Sequence, residues 1–261
     1  MNRIKSLVKQ NRFFFKLLFP VYTLIRYPHY LLIGMILKMR GKPITSGNLI
    51  VTYPKENTSF LFIASLFFGK SEEDEKKSID KYLDSNAVVL ELGGCLGIIS
   101  CYINEKLLNK KNHVVLEANP NLIKYLTANR DLNNYSFQIH NKIISSEEFI
   151  EFHVAKSIHS SSIKNKTLEK HLVKGITIEK LQQESNLIFD TLIMDIEGAE
   201  LELILNTNFK ELKIKTLIFE LHDFNRTLSD KEVKEIKIKL QDHGFVFCEK
   251  IDTSSIWKML K

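Results

Sequence analysis

The 261 residues are 44% hydrophobic and 26% charged, a composition that fits one globular core with an extension. The net charge of +6 belongs to the N-terminus: residues 1–42 carry nine Lys or Arg and no acid, while the remaining 28 basic and 31 acidic groups sum to −3, which argues against nucleic acid as a partner. Cys95, Cys101 and Cys248 form no CxxC pair and no HExxH is present, so a disulfide framework and a structural metal are not expected, and a cytoplasmic setting is.

Residues 1–44 read as a basic, aromatic-rich helical arm. Its uncharged runs, Leu17–Ile25 and Tyr27–Leu37, are each shorter than the roughly 20 residues that cross a bilayer. Joining them would put Arg26 near mid-membrane at a cost of about 3 kcal/mol and include Pro20 and Pro28. No small-residue cleavage site follows. The segment 1–42 is therefore expected to make peripheral contact with an anionic membrane, on the inner face of the cell membrane; the alternative is an arm packed on the main domain.

Residues 45–86 read as a linker strand, Leu49–Tyr53, followed by the apolar "FLFIASLFFG" and the charged helix "KSEEDEKKSIDKYLDSN". The charges of that helix read as a solvated face. These pieces are expected to cover one edge of a domain spanning 87–261.

From Ala87 onward, short β-branched runs alternate with segments of helical period. Strands are expected at Ala87–Leu92, His113–Ala118, Ser136–His140, Thr191–Ile196, Lys215–Leu221, Phe245–Glu249 and Ile256–Leu260, with helices near Gly97–Asn109, Pro120–Leu132, Ala199–Asn206 and Ser229–Asp242. Such alternation calls for an α/β fold with a mainly parallel sheet covered on both faces. The last two strands are joined only by "KIDTS" and should pair as an antiparallel hairpin. "EFIEFHVAKS" alternates like an inserted strand, and "GITIEKLQQES" reads as a strand running into a short helix.

The chemistry-bearing stretch is "LELGGCLGIIS". Its first strand ends at Glu91-Leu92, and Gly93 and Gly97 permit a tight turn and a close approach of the backbone to a ligand. Glu117 closes the second strand, in the position where a carboxylate takes ribose hydroxyls. That spacing also suits NAD. Glu91 decides between the cofactors, because a carboxylate about 4 Å from a pyrophosphate repels it by roughly 4 kcal/mol at an intermediate dielectric. A cofactor bearing an ammonium and a sulfonium is attracted instead. Cys95 also stands where the dinucleotide motif has its middle glycine. The expected cofactor is S-adenosylmethionine.

"VVLELGGCLGIIS", "VVLEANPNLIKYLTANRDLN", "LIMDIEGAELELI" and "LIFELHD", in that order, resemble the FkbM family of S-adenosylmethionine-dependent methyltransferases over roughly Ala87 to Asp223. The resemblance implies a Rossmann-like class I methyltransferase with a seven-stranded sheet, and transfer to a hydroxyl oxygen, often on a sugar or a polyketide. It further implies that Glu91, Gly93 and Gly97 hold the methionine portion, Glu117 the ribose and Asn119 the neighbouring adenosine. The family often has Asp at position 91 and Asn at position 95. Glu91 is chemically equivalent, whereas Cys95 lacks the amide.

An alcohol must lose its proton as it attacks, and a base within hydrogen-bond reach accepts it. "MDIEGAE" puts Asp195 and Glu197 at the end of the fourth main strand, and "FELHD" puts Glu220 and His222 at the end of the fifth. Asp195, Glu197 and His222 are the candidate bases. Asp195 orienting the cofactor's ammonium is the alternative for that residue, and no metal is expected because the sulfonium already activates the methyl group. "SIHSSSIKN", residues 157–165, reads as a solvated loop, and Trp257 as a core residue. The predicted acceptor is a glycan or glycolipid hydroxyl. A soluble small metabolite, or a non-catalytic cofactor-binding module in a membrane assembly, is the alternative.

Overall fold

The computed structural model describes residues 28–154, 169–196, 199–220 and 229–259. At its centre is a seven-stranded sheet built from β3 (Val89–Leu92), β4 (His113–Leu116), β5 (Gln138–His140), β9 (Thr191–Met194), β10 (Thr216–Glu220), β11 (Phe245–Ile251) and β12 (Ser254–Met259). Its order is β11-β12-β10-β9-β3-β4-β5. β5, β4, β3, β9 and β10 run parallel, and β12 is antiparallel to both β10 and β11. Each expected strand of the main sheet is present within a few residues of its predicted bounds, and the terminal hairpin has the expected sense.

The central strands are buried on both faces, as parallel strands flanked by helices must be. One face, carrying Leu90, Leu116, Leu192 and Phe219, packs on α6 (Ile178–Ser185), α7 (Glu200–Asn206), α8 (Phe209–Leu212) and α9 (Asp230–Asp242). The other carries Val89, Val115 and Ile193. It packs on α3 (Glu73–Tyr82), α4 (Ile98–Lys106) and α5 (Pro120–Leu132). The helices after β3 and β4 thus lie on one side and those after β9 and β10 on the other. This switch point opens a crevice beyond the ends of β3 and β9, the usual ligand position in such sheets. Trp257 is in the core, 1% exposed.

A second, three-stranded sheet joins β6 (Lys142–Ile144), β8 (Glu169–Ile176) and β7 (Phe149–Val154), with β8 central. The alternating inserted strand is β7, and β8 runs into α6 as its sequence suggests. β6 was not expected. The loop 157–165 lies outside the described residues.

The segment before β3 is integral to the domain rather than a linker. β1 (Ile44–Ser46) pairs with β2 (Leu49–Val51), and Ile44, Val51 and Tyr53 share a core with Leu96, Leu122 and Leu126. Buried Asn129 of α5 anchors the join: its Oδ1 accepts from the N–H (2.6 Å) and Oγ1 (2.7 Å) of Thr52. Its Nδ2 donates to the carbonyls of Thr52 (2.9 Å) and Leu96 (2.8 Å). Asn133, one turn on, exchanges two 2.8 Å bonds with the backbone of Ile50. Two asparagine side chains act here as a neighbouring strand would.

Helix α1 (Pro28–Arg40) lies on α2 (Phe60–Phe67), so close that a Cβ on Gly34 would stand 1.9 Å from the carbonyl oxygen of Phe60. Its opposite side exposes Leu32, Met35, Ile36 and Met39, a stripe at helical spacing. Among the described residues no helix is long and apolar enough to cross a membrane.

Candidate active site

The crevice at the switch point is a cavity of about 830 Å³. Its floor is the turn after β3, where Gly93 takes φ +92 and a Cβ would lie 2.0 Å from the carbonyl oxygen of Asp195. The backbone leaving β9 therefore rests directly on Gly93, a contact only glycine allows. Gly97 (φ +79) then turns the chain into α4, with Leu126 filling the space a side chain would need.

Glu91 is buried, 3% exposed, and both its oxygens have protein partners: Oε1 accepts from Ser100 Oγ at 2.8 Å and Oε2 meets His113 Nε2 at 2.9 Å. The carboxylate borders the cavity but is turned toward α4 and β4. Its charge reaches a ligand from a fixed position inside the protein, where the effective dielectric is low.

Glu117 sits across the glycine loop. Its Oε2 accepts the N–H of Cys95 at 2.7 Å and its Oε1 the N–H of Asn119 at 2.6 Å, which holds Cys95 in a left-handed conformation (φ +47). Burial pushes Glu117 up to about 7, against the pull of these two donors. A carboxylate has about four acceptor sites, so lone pairs remain for the hydroxyls of a ribose. Asn119 is buried beside it and uses Oδ1 to cap α5, accepting from Asn121 N–H at 3.0 Å.

Asp195 follows β9, donates its N–H to Leu92 O at 3.1 Å and lines the cavity. Cys95 lines it as well, with its thiol raised well above the ordinary range by burial and by Glu117. Of the predicted site residues, the structure brings Glu91, Gly93, Glu117, Asn119 and Asp195 to one cavity, with Gly97 shaping its loop. Glu197 and His222 lie outside the described residues.

On the helix "KSEEDEKKSIDKYLDSN", Glu73, Lys77, Asp80 and Lys81 are exposed as a solvated face would be, but Glu72 and Glu75 correct that reading. Glu72 and Glu75 border the cavity. Burial pushes Glu72 up to about 7; Lys76 opposes the shift, and Asp195, Glu91 and Glu220 add to it. Glu75 is raised well above the carboxylate range by burial, then by Glu72 and Asp195. Sequence pattern missed them because acids occupy every side of that helix.

Among the described residues, eight carboxylates and one lysine border the cavity, and that lysine, Lys142, is paired with Glu184 at 2.6 Å. Such a wall repels phosphates and favours a ligand with positive charge. The described residues hold no group of three His, Cys, Asp or Glu arranged for a metal ion.

The model of the methyltransferase FkbM domain matches residues 91–247, more than half the chain. The chain belongs to the FkbM methyltransferase family. No curated protein matches it. Solved structures similar to this FkbM chain include a methyltransferase from Pyrococcus furiosus (13% identity, TM-score 0.46, covering 90% of this chain and 96% of that one). An O-methyltransferase from Bacillus cereus in complex with SAH is 12% identical, with a TM-score of 0.40 and coverage of 91% and 93%. In the FkbM chain the glycine loop, Glu117 and Asp195 all fall inside the matched segment.

Proposed function

We propose that this FkbM protein transfers the methyl group of S-adenosylmethionine to a hydroxyl oxygen of a glycan or glycolipid intermediate. The observation that carries the donor reading is the eight-carboxylate wall around a glycine loop at the switch point. The residues fit this donor: Gly93 and Gly97 leave room at the loop, Glu91 and Asp195 supply negative charge, and Glu117 with Asn119 suits the ribose and the adenosine edge. When bound, the donor supplies a methyl carbon already activated by its sulfonium.

What remains for the chain is alignment and proton removal. Asp195 borders the cavity beside Gly93 and is the described candidate to accept the acceptor hydroxyl's proton, with Glu197 and His222 as the other two. Calorimetry with S-adenosylmethionine and with NAD tests the donor. Tighter binding of NAD rules the reading out. Incubating glycolipid and soluble-metabolite fractions with labelled methyl donor tests the acceptor: label confined to soluble metabolites removes the glycolipid assignment. Once an acceptor is known, Asp195→Asn, Glu197→Gln and His222→Ala are compared by turnover, and a variant with unchanged rate is not the base.

The membrane part of the reading is supported by α1. Leu32, Met35, Ile36 and Met39 are exposed along one side, while residues 1–42 contribute nine cations and no acid. An apolar stripe within a segment so rich in basic residues suits the interface of an anionic bilayer. Sedimentation with phosphatidylserine vesicles should pellet the full chain and leave Leu32→Gln/Ile36→Gln/Met39→Gln largely in the supernatant. Equal pelleting of both overturns the assignment.

A further inference from the structure

Glu72 immediately precedes α3 in a left-handed conformation (φ +56) and makes no side-chain cap to that helix. Acids at this position ordinarily serve the helix N-terminus. Here the side chain borders the cavity instead, together with Glu75 one turn on. The charges that act on it agree with this: Glu91 lies in β3, Asp195 follows β9 and Glu220 ends β10, and the charge of Glu72 acts in turn on the Cys95 thiol in the glycine loop. The carboxyl therefore belongs to the same cavity as the glycine loop and the ends of β3 and β9.

Glu72 Oε2 is shut off from solvent and has no hydrogen-bond partner among the described residues. Stability does not account for such an arrangement, because a sealed oxygen without a partner is unfavourable and neighbouring carboxylates make it worse. The one cation on α3 that opposes them, Lys76, is held at 2.9 Å by the carbonyl of Ser71. A positively charged ligand in the cavity would offset the repulsion among these carboxylates. The upward displacement of Glu72 and Glu75 agrees with this, since each holds a proton more readily until such a charge arrives.

We propose that Glu72 and Glu75 form the wall that receives the ammonium and sulfonium end of the methyl donor, and that donor binding expels a proton from this pair. The inference rests on the S-adenosylmethionine reading above and adds two donor-binding residues to it. It also gives a reason for product release. S-adenosylhomocysteine has lost the sulfonium charge, so after transfer the pair regains its proton and holds the product less firmly.

The test needs no acceptor. Full-length protein is titrated near pH 7 with S-adenosylmethionine and with S-adenosylhomocysteine, each in phosphate and in Tris, whose ionisation heats differ; the buffer dependence of the heat counts protons exchanged. Net release is expected with the donor and clearly less with the product. Glu72→Gln and Glu75→Gln should each weaken donor binding about tenfold or more, weaken product binding less, and reduce the proton count. Donor binding without buffer-dependent heat, or donor affinity in both variants unchanged from wild type, overturns the proposal while leaving the cofactor reading intact. Absence of donor binding by the wild-type chain overturns both.

Discussion

Glu91 of β3 and His113 of β4 meet across the sheet, Oε2 to Nε2 at 2.9 Å, with His113 fully buried and its Nδ1 without a hydrogen-bond partner among the described residues. The strands pair in parallel, Leu90 with Val114 and Glu91 with Val115, so the contact joins residues two apart in register. The imidazole fixes the direction of the carboxylate that borders the donor cavity. Glu91→Ala leaves a buried ring unpaired and should cost about 1.5–3 kcal/mol, the range for hydrogen bonds to charged groups. For a chain of this size that is a fall of roughly 3–6 °C in Tm. Glu91→Gln keeps one oxygen to accept from the histidine and an amide that can donate to Ser100 Oγ, but removes the charge, so it should weaken donor binding with a much smaller change in Tm. If both variants lose stability equally, the carboxylate is structural alone.

Gly93→Ala should be far more damaging than its size suggests. The added methyl would lie 2.0 Å from the carbonyl oxygen of Asp195, and φ +92 is unsuited to any L side chain. Neither backbone can yield without separating β3 from β9. Gly47→Ala is the control, since it has φ +59 but nothing within 4 Å, and should cost only about 1–2 kcal/mol. Thermal melts of the pair, with donor binding measured on whatever folds, should rank them clearly. Equal effects would mean that conformation, not the strand contact, sets the requirement.

Asn129→Ala removes four hydrogen bonds at once, and Thr52 and Leu96 lose their partner in or near the core. A loss of about 2–4 kcal/mol is expected from polar groups left unsatisfied. Its distinguishing sign is local: amide exchange should accelerate at Ile50 and Thr52 more than in β3 or β9. Uniform acceleration would indicate ordinary global destabilisation.

The contrast between what the sequence made visible and what it hid follows from the range of the interactions. Asn119-Pro120 announces a cap and a first helical residue, and α5 has the expected bounds, Pro120–Leu132. β3, β4 and β9 are buried on both faces and leave short, mainly apolar runs, broken only by Glu91, His113 and Thr191. Glu91, Gly93, Glu117 and Asp195 were legible because they occupy strand ends and turns, where residue type and position together imply chemistry. Glu72 and Glu75 were not, because their role depends on how α3 docks against strands distant in sequence. The fastening of β2 by Asn129 and Asn133, about 80 residues downstream, likewise leaves no local mark.

The carboxylates of the cavity set a pH dependence of the ligand-free protein. Glu72 and Glu117 move from an ordinary 4.5 up to about 7, and Glu75 moves in the same direction. Between those values the folded chain binds more protons than the unfolded chain, so stability falls as pH rises. The contribution is fully present below about pH 4.5 and lost through about pH 7. Exposed acids such as Glu73 and Glu249 shift the opposite way, toward lower values through their lysine partners, but such pairs are screened by solvent and weigh little. Tm measured at constant ionic strength should therefore decline between about pH 5.5 and 8, and Glu72→Gln should flatten the decline and melt higher than wild type at pH 8. The same substitution is expected to weaken donor binding, because the charge that destabilises the empty cavity is the charge a cation needs. A wild-type Tm that rises across this interval, or a variant that melts like wild type at pH 8, would remove the cavity acids as the cause.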